Sequence, residues 1–257
     1  MQKAPASRPS ELRNVVLLGA GGTGKTTLAE AMLHRCGAIA RMGSVEQANT
    51  TGDFEPEARA HGHSTSATLL FGTYEGRELN FIDTPGHPEF VGAALAALPA
   101  VETAVIVVDA AAGLDHTTRR LFHAAGEAGL ARMFVVNRID ANPAGLKNVV
   151  ESLKREFGSR LHCLNLPTVD GRDVVDCFDH ESGAAGLYEV GAIHREILES
   201  AVEVDDAVLE RYLGGEKIDL PALRATFVKA MAAGRVVPIL FTSARQEVGV
   251  DDLLHVL

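Results

Sequence analysis

The chain has 257 residues, 46% of them apolar, and a formal net charge of −10. That is enough for one large α/β domain or a domain with a sizeable insertion; the negative charge excludes general attraction to a polyanion, and no apolar run approaches the roughly 20 residues that cross a bilayer. Three cysteines, Cys36, Cys163 and Cys177, are odd in number and unclustered, which excludes a disulfide framework or a zinc site and fits free thiols in a cytoplasmic protein.

Residues 1–13 mix Lys3, Arg8, Glu11 and Arg13 without an apolar stretch, so they read as a disordered lead-in and not as a signal peptide. Asn14 to Leu18 reads as a buried strand ending in a glycine cluster, and Lys25 to Arg35 as a helix. Residues 38–65 are polar and dotted with glycine, which predicts a long loop. Thr68 to Tyr74, a turn at Glu75-Gly76-Arg77, and Leu79 to Asp83 predict a hairpin. Val105 to Asp109 and Met133 to Asn137 are further buried strands, with helical patterns at His116 to Ala128 and Leu146 to Phe157. Continuous apolar strands alternating with helices predict a parallel sheet covered on both faces.

The next strand, Val236 to Phe241, comes only after a stretch far longer than an ordinary connection. That stretch has strand-like and helical pieces of its own, including Asp205 to Tyr212 and Leu220 to Ala232. It reads as a subdomain inserted at 159–235 into a domain formed by 14–158 and 236–257. The chain stops at Leu257 inside an apolar helical pattern without a cap, which reads as the first part of a longer protein.

Gly19-Ala20-Gly21-Gly22-Thr23-Gly24-Lys25-Thr26 is a full G-x-x-x-x-G-K-T between a strand and a helix. Its glycines let backbone N–H groups turn inward on phosphates, and the helix N-terminus adds partial positive charge. Lys25 suits the β- and γ-phosphates, and the Thr26 hydroxyl suits Mg²⁺. Asp83-Thr84-Pro85-Gly86 follows an apolar strand; an aspartate at that end faces the ligand crevice and would hold Mg²⁺, while Gly86 offers an N–H to the γ-phosphate. Asn137-Arg138-Ile139-Asp140 ends another strand. The Asp140 carboxylate accepts a pair of in-plane donors, which guanine offers at N1 and N2 and adenine does not. Asn137 would tie this loop to the P-loop or to the base N7. Thr242-Ser243-Ala244 ends the last strand, where a small turn would place a backbone N–H on guanine O6.

In this order, and with His87 after Gly86, the motifs resemble the translational GTPases, most closely the GTP-binding domain of elongation factor G. Thr27-Leu28-Ala29-Glu30, Gly37-Ala38-Ile39, Gly43-Ser44-Val45, Phe90-Val91-Gly92, Val108-Asp109-Ala110 with Gly113, and Val237-Pro238 agree, as does the insertion at 159–235. The likeness is best to divergent, second-copy forms of that factor. It implies a doubly wound P-loop GTPase sheet with helices on both faces plus an inserted α+β subdomain. It implies GTP and GDP binding with Mg²⁺, GTP hydrolysis, action on the ribosome in translocation or recycling, and a cytoplasmic monomer with no membrane contact. Gly21, Gly22, Thr23, Gly24, Lys25, Thr26, Thr27, Asn137, Arg138, Asp140, Ser243 and Ala244 would contact the nucleotide. Thr26, Ser64 and Asp83 would hold Mg²⁺, and His87, Lys25 and Gly86 would serve catalysis, His87 by positioning the attacking water. The alternatives are a guanine-nucleotide-dependent regulatory module with little hydrolysis, or another translational GTPase such as a ribosome-protection factor.

The chain also departs from that family. His61-Gly62-His63 stands where Arg-Gly-Ile is usual before the switch hydroxyl, so an apolar gate over the catalytic histidine is lost at Gly21 and His63. Gly22 replaces a frequent aspartate tied to a monovalent-cation site. Arg138 replaces the lysine whose stem packs on the guanine plane, and a guanidinium stacks there too.

Overall fold

The structure is a computed structural model that describes residues 8–52, 64–216 and 218–257. Seven strands form its main sheet: β1 (Leu12–Leu18), β2 (Thr68–Tyr74), β3 (Arg77–Asp83), β4 (Thr103–Asp109), β5 (Ala131–Asn137), β6 (Leu161–Cys163) and β9 (Val237–Thr242). Their order is β2-β3-β1-β4-β5-β9-β6. All pairs are parallel except β2 with β3, a hairpin whose tip residues Glu75 and Gly76 both have positive φ. That turn geometry matches the twist of the two strands.

Burial follows the sequence pattern. β4, β5 and β9 are buried along nearly their whole length, as strands with both faces covered must be, whereas the edge strand β2 alternates. Helix α1 (Lys25–Arg35) packs Leu28, Ala29, Ala31, Met32 and Leu33 inward and touches β2, β3 and α8 (Val250–Val256). A short α2 (Val91–Ala97) precedes β4. Helix α3 (His116–Glu127) begins at Asp115, whose side chain accepts the Thr118 N–H. Helix α4 (Leu146–Phe157) turns Leu146, Val149, Val150, Leu153 and Phe157 to the core on one stripe. The rings of Phe122, Phe134 and Phe157, with centroids 4.2–5.2 Å apart, join α3, β5 and α4; Phe122 stacks on Phe134 and Phe157 packs tilted against both.

The lead-in differs from expectation. Pro9–Glu11 form a 3₁₀ turn and β1 already runs from Leu12, paired with Glu78 of β3, and Arg13 Nη1 donates to the Ser10 and Leu12 carbonyls. Residues 1–7 lie outside the described residues. The stretch 159–235 also enters the main sheet, since β6 lies parallel to β9. It then forms a two-stranded antiparallel sheet of β7 (Asn165–Pro167) and β8 (Val174–Asp176), and helices α5 (Val190–Val202), α6 (Asp206–Leu213) and α7 (Leu220–Ala232). Buried Asn165 joins this stretch to the sheet: its Oδ1 accepts the Phe241 N–H at 2.7 Å and its Nδ2 donates to Asp252 Oδ2 at 2.6 Å.

Among the described residues no helix is long and apolar enough to cross a membrane, and all three cysteines are free thiols. Burial pushes the Cys36 thiol up to about 11 and the Cys163 thiol up to about 12, so both stay protonated and inert at neutral pH.

Candidate nucleotide site

Parallel register fixes where the chemistry gathers. Leu17 pairs with Asp83, Asp109 with Asn137, and Asn137 with Thr242. The strand ends therefore form one row, and the loops after them share the crevice at the C-terminal edge of the sheet, where open α/β sheets bind ligands.

The loop after β1 is a cradle that only glycine permits at several points. Gly22 and Gly24 have φ of 80° and 89°, left-handed backbone that side chains rarely adopt. A side chain at Gly24 would also collide with the amide of Asn137. Thr23 Oγ1 donates to the Ala20 carbonyl at 3.0 Å and braces the turn. Lys25 opens α1 and folds its ammonium back beneath the loop, donating to the Gly19 carbonyl at 3.0 Å and the Ala20 carbonyl at 2.8 Å. Burial pushes the Lys25 ammonium down to about 8, while Asp83 and then Asp115 pull it upward. A cation so desolvated, held by carbonyls and not by a carboxylate, suits an anion in the cradle.

Thr26 lies beside the lysine on α1. Its Oγ1 donates to Asp83 Oδ2 at 2.7 Å and stands 3.5 Å from Ser64 Oγ. Two hydroxyls from distant segments and a buried carboxylate thus meet at one point. That is an all-oxygen donor set, which fits Mg²⁺ with phosphate oxygens and water completing its shell. Thr27 follows, partly buried, on the same first turn.

After Asp83, the Thr84 hydroxyl donates to the Leu17 carbonyl at 2.6 Å and locks this loop to β1. Gly86 sits so close to Ala20 and the Lys25 ammonium that any side chain there would strike both. A Cβ on Gly21 would lie 3.8 Å from Gly86 and 4.0 Å from the His87 nitrogen, so the P-loop faces the Gly86-His87 backbone directly. The His87 side chain is 47% exposed; its Nδ1 lies 3.8 Å from Glu89 Oε2, and its ring centroid is 6.1 Å from that of Phe90. His61, Gly62 and His63 lie outside the described residues, so of the two positions where the apolar gate is expected to be lost only Gly21 is described.

The base-side loops are tied together by Asn137. Its buried amide donates to the Thr23 carbonyl at 3.0 Å, and its Oδ1 accepts the Ala244 N–H at 3.0 Å and the Thr242 hydroxyl at 3.1 Å. Of the two partners weighed for Asn137, the structure provides the P-loop. The Ala244 N–H is engaged by this amide, while Ser243, also buried, closes the turn by exchanging backbone hydrogen bonds with Val248. Asp140 stands at the rim, where Oδ2 accepts from Gln246 Nε2 at 3.2 Å. Arg138 takes a left-handed backbone, φ 62°, and its Nη1 reaches Asp109 Oδ2 at 2.8 Å.

Sequence reasoning gave no role to Asp109, Gln246 or Glu30. Asp109 stood inside a quoted motif, but only the β4–β5 register reveals its partner. Glu30, almost wholly buried on α1, accepts the Gly43 and Thr51 N–H groups at 2.6 Å each and fastens part of the predicted loop to the core.

Comparison with known proteins agrees with this geometry. The model of the elongation factor Tu GTP binding domain matches residues 10–257. An elongation factor G-like protein of Mycobacterium tuberculosis (strain ATCC 25618 / H37Rv) is 32% identical over 98% of this chain and 37% of its own length. Tetracycline resistance protein TetM of Ureaplasma urealyticum is 26% identical over 95% of this chain and 36% of its own. A crystal structure of a Thermus thermophilus protein superposes with a TM-score of 0.87 at 32% identity, covering 96% of this chain and 39% of that one. The chain thus spans less than two fifths of the length of each protein it matches here. With that family model spanning both the P-loop and the base-side loops, the chain belongs to the elongation factor Tu GTP-binding domain family, the translational GTPases.

Proposed function

We propose that this chain binds GTP and GDP with Mg²⁺ and hydrolyses GTP, as the nucleotide-driven part of an elongation factor G-like protein. Such a protein would act on the ribosome, in the cytoplasm, in translocation or recycling, with 159–235 as a subdomain inserted in the GTPase core. The observation that supports this most is the meeting of Lys25, Thr26, Ser64 and Asp83 under one glycine cradle, with Asn137 fastening the base-side loop to that cradle.

Each side chain has a task in this reading. Lys25 places its ammonium against the β- and γ-phosphates and offsets charge on the transferred group. Gly21 to Thr27 supply backbone N–H groups and the helix N-terminus. Mg²⁺, held by Thr26, Ser64 and Asp83, would supply further positive charge at the phosphate oxygens. Asp140 accepts the N1 and N2 donors of guanine, and Arg138 and the Ser243-Ala244 turn wall the base. Gly86 donates its N–H toward the γ-phosphate, and the neighbouring His87 orients water for in-line attack. Ser64, as a ligand of that Mg²⁺, would report the presence of the γ-phosphate and lose its anchor when the phosphate leaves.

Phosphate release over many turnovers, with and without ribosomes, tests this. Ribosome-stimulated release is the expected result. Tight nucleotide binding with no release in either condition would instead make the chain a guanine-nucleotide-dependent regulatory module. That second reading is favoured by Gly21, which sets no side chain against Gly86 and the half-exposed His87.

A further inference from the structure

We propose that Asp109 is a positioning residue of the guanine pocket: it holds the Arg138 guanidinium as a fixed wall for the base. This rests on the nucleotide-binding reading above.

Arg138 would not settle by itself. Its side chain is 51% exposed, and its backbone has φ 62°, a conformation that L side chains rarely adopt. The surrounding structure imposes that backbone. The Ile139 N–H donates to the Thr242 carbonyl at 3.2 Å, and the Ala141 N–H to the Arg138 carbonyl at 3.0 Å. Asp109 then fixes the other end of the side chain. It is 10% exposed, lies beside Asn137 in the β4–β5 ladder, and its Oδ2 takes the Arg138 Nη1 at 2.8 Å. The carboxylate is itself held, because Oδ1 accepts the Ala111 and Ala112 N–H groups at 2.7 and 3.0 Å. The guanidinium thereby stays near the P-loop: a Cβ on Gly24 would lie 3.9 Å from Arg138 Nε.

The chemistry follows from planarity. A guanidinium offers a flat face to a purine and keeps its edge N–H groups for a carboxylate in the same plane. One side chain can therefore stack and be tethered together. Tethering removes rotamer freedom before the nucleotide arrives and lowers the entropic cost of binding. Asp109 touches no nucleotide in this arrangement; it acts through Arg138.

Asp109→Asn separates this role from a structural one. The amide keeps Oδ1 for the Ala111-Ala112 turn and replaces the oxygen that accepts from Arg138 with a donor, so the tether is lost while the turn stays. We expect GDP affinity of the whole chain to fall about 3- to 10-fold, through faster dissociation, as expected for a stacking contact of this kind. Arg138→Gln should give a similar loss, and the double variant no more than Arg138→Gln alone. Inosine diphosphate lacks the N2 amine read by Asp140, so it reports on that carboxylate. In Asp109→Asn both nucleotides should weaken by the same factor, leaving the preference for GDP intact, and Asp109→Glu should restore part of the loss. An unchanged GDP affinity, additive losses, or a collapsed preference for GDP would overturn the proposal, the last by showing that the loop bearing Asp140 had deformed. Failure of the unaltered chain to bind GDP would instead remove the nucleotide-binding reading itself.

Discussion

In the proposed site, Asp140 would serve recognition and His87 reaction. Asp140 sits at the rim with one oxygen on Gln246, and its work in the proposed site is to accept two donors of guanine. Asp140→Asn turns an acceptor into a donor, so affinity for GTP should fall and affinity for xanthosine triphosphate should rise. A site built on a hydrogen-bond pair rejects the mismatched partner by roughly 10⁴–10⁵-fold at its best. Calorimetry with both nucleotides checks this, and an unaltered preference for GTP would remove Asp140 from the site. His87 makes the opposite case. It is half-exposed beside the Gly86 backbone, and in the proposed site it would meet water and not the diphosphate. His87→Ala should leave GDP affinity nearly unchanged and cut ribosome-stimulated turnover by about 10²–10⁴-fold, the usual worth of a positioned proton-transfer or orienting group. Equal stimulated rates in the two proteins would exclude it.

Single elements carry devices that no local pattern announces. Helix α1 presents Glu30 to residues Gly43 and Thr51, so a buried carboxylate holds the backbone at both of these points. Glu30→Ala strips both N–H groups of their acceptor and should destabilise the chain by about 1–3 kcal/mol. Amide exchange at Gly43 and Thr51 should accelerate by more than that of the β4 amides; a uniform change across both would argue against a local anchor. On β6, His162 is buried with Nε2 3.0 Å from Ser200 Oγ. Burial, and then Lys154, hold its imidazole below the usual histidine range, and Glu196, 3.9 Å from Nδ1 and itself 45% exposed, does not offset them. The folded chain therefore resists a proton that the unfolded chain accepts. The contribution of this group to stability is fully present above about pH 6.5 and is lost as pH falls below it. Thermal midpoints at pH 7.5 and 5.5 should differ less for His162→Gln than for the unaltered chain.

Across the whole molecule, the stretch after α4 is bonded into the sheet and not merely hung from it. Asn165 satisfies the buried backbone of Phe241 and binds Asp252 on α8. Asn165→Ala leaves a backbone donor and a carboxylate without this partner, and should cost about 2–4 kcal/mol. For a chain of this size that lowers the thermal midpoint by roughly 4–16 °C. If β6 and β7 instead opened independently of the core, exchange would rise there alone while the global midpoint stayed in place.

The sequence by itself determined six of the seven strands of the main sheet, the strand–helix alternation that makes most of the sheet parallel, and the motif order that identifies the phosphate and base loops. These are local properties: a β-branched run, a glycine cluster before a helix and an aspartate after a strand each act within a few residues. Its errors were local as well. Residues 8–13 looked disordered because polar residues mask a strand end that gains its hydrogen bonds from β3, and β6 went unread because it is only three residues long. The tertiary structure alone decided which distant groups meet. Thr26 and Asp83, Asn137 and Thr23, Asp109 and Arg138, and Glu30 and Thr51 are brought together by sheet order, register and the packing of α1. Hydrogen bonding across such separations depends on where the backbone has been carried by burying the whole apolar core, and no short window of sequence contains that information.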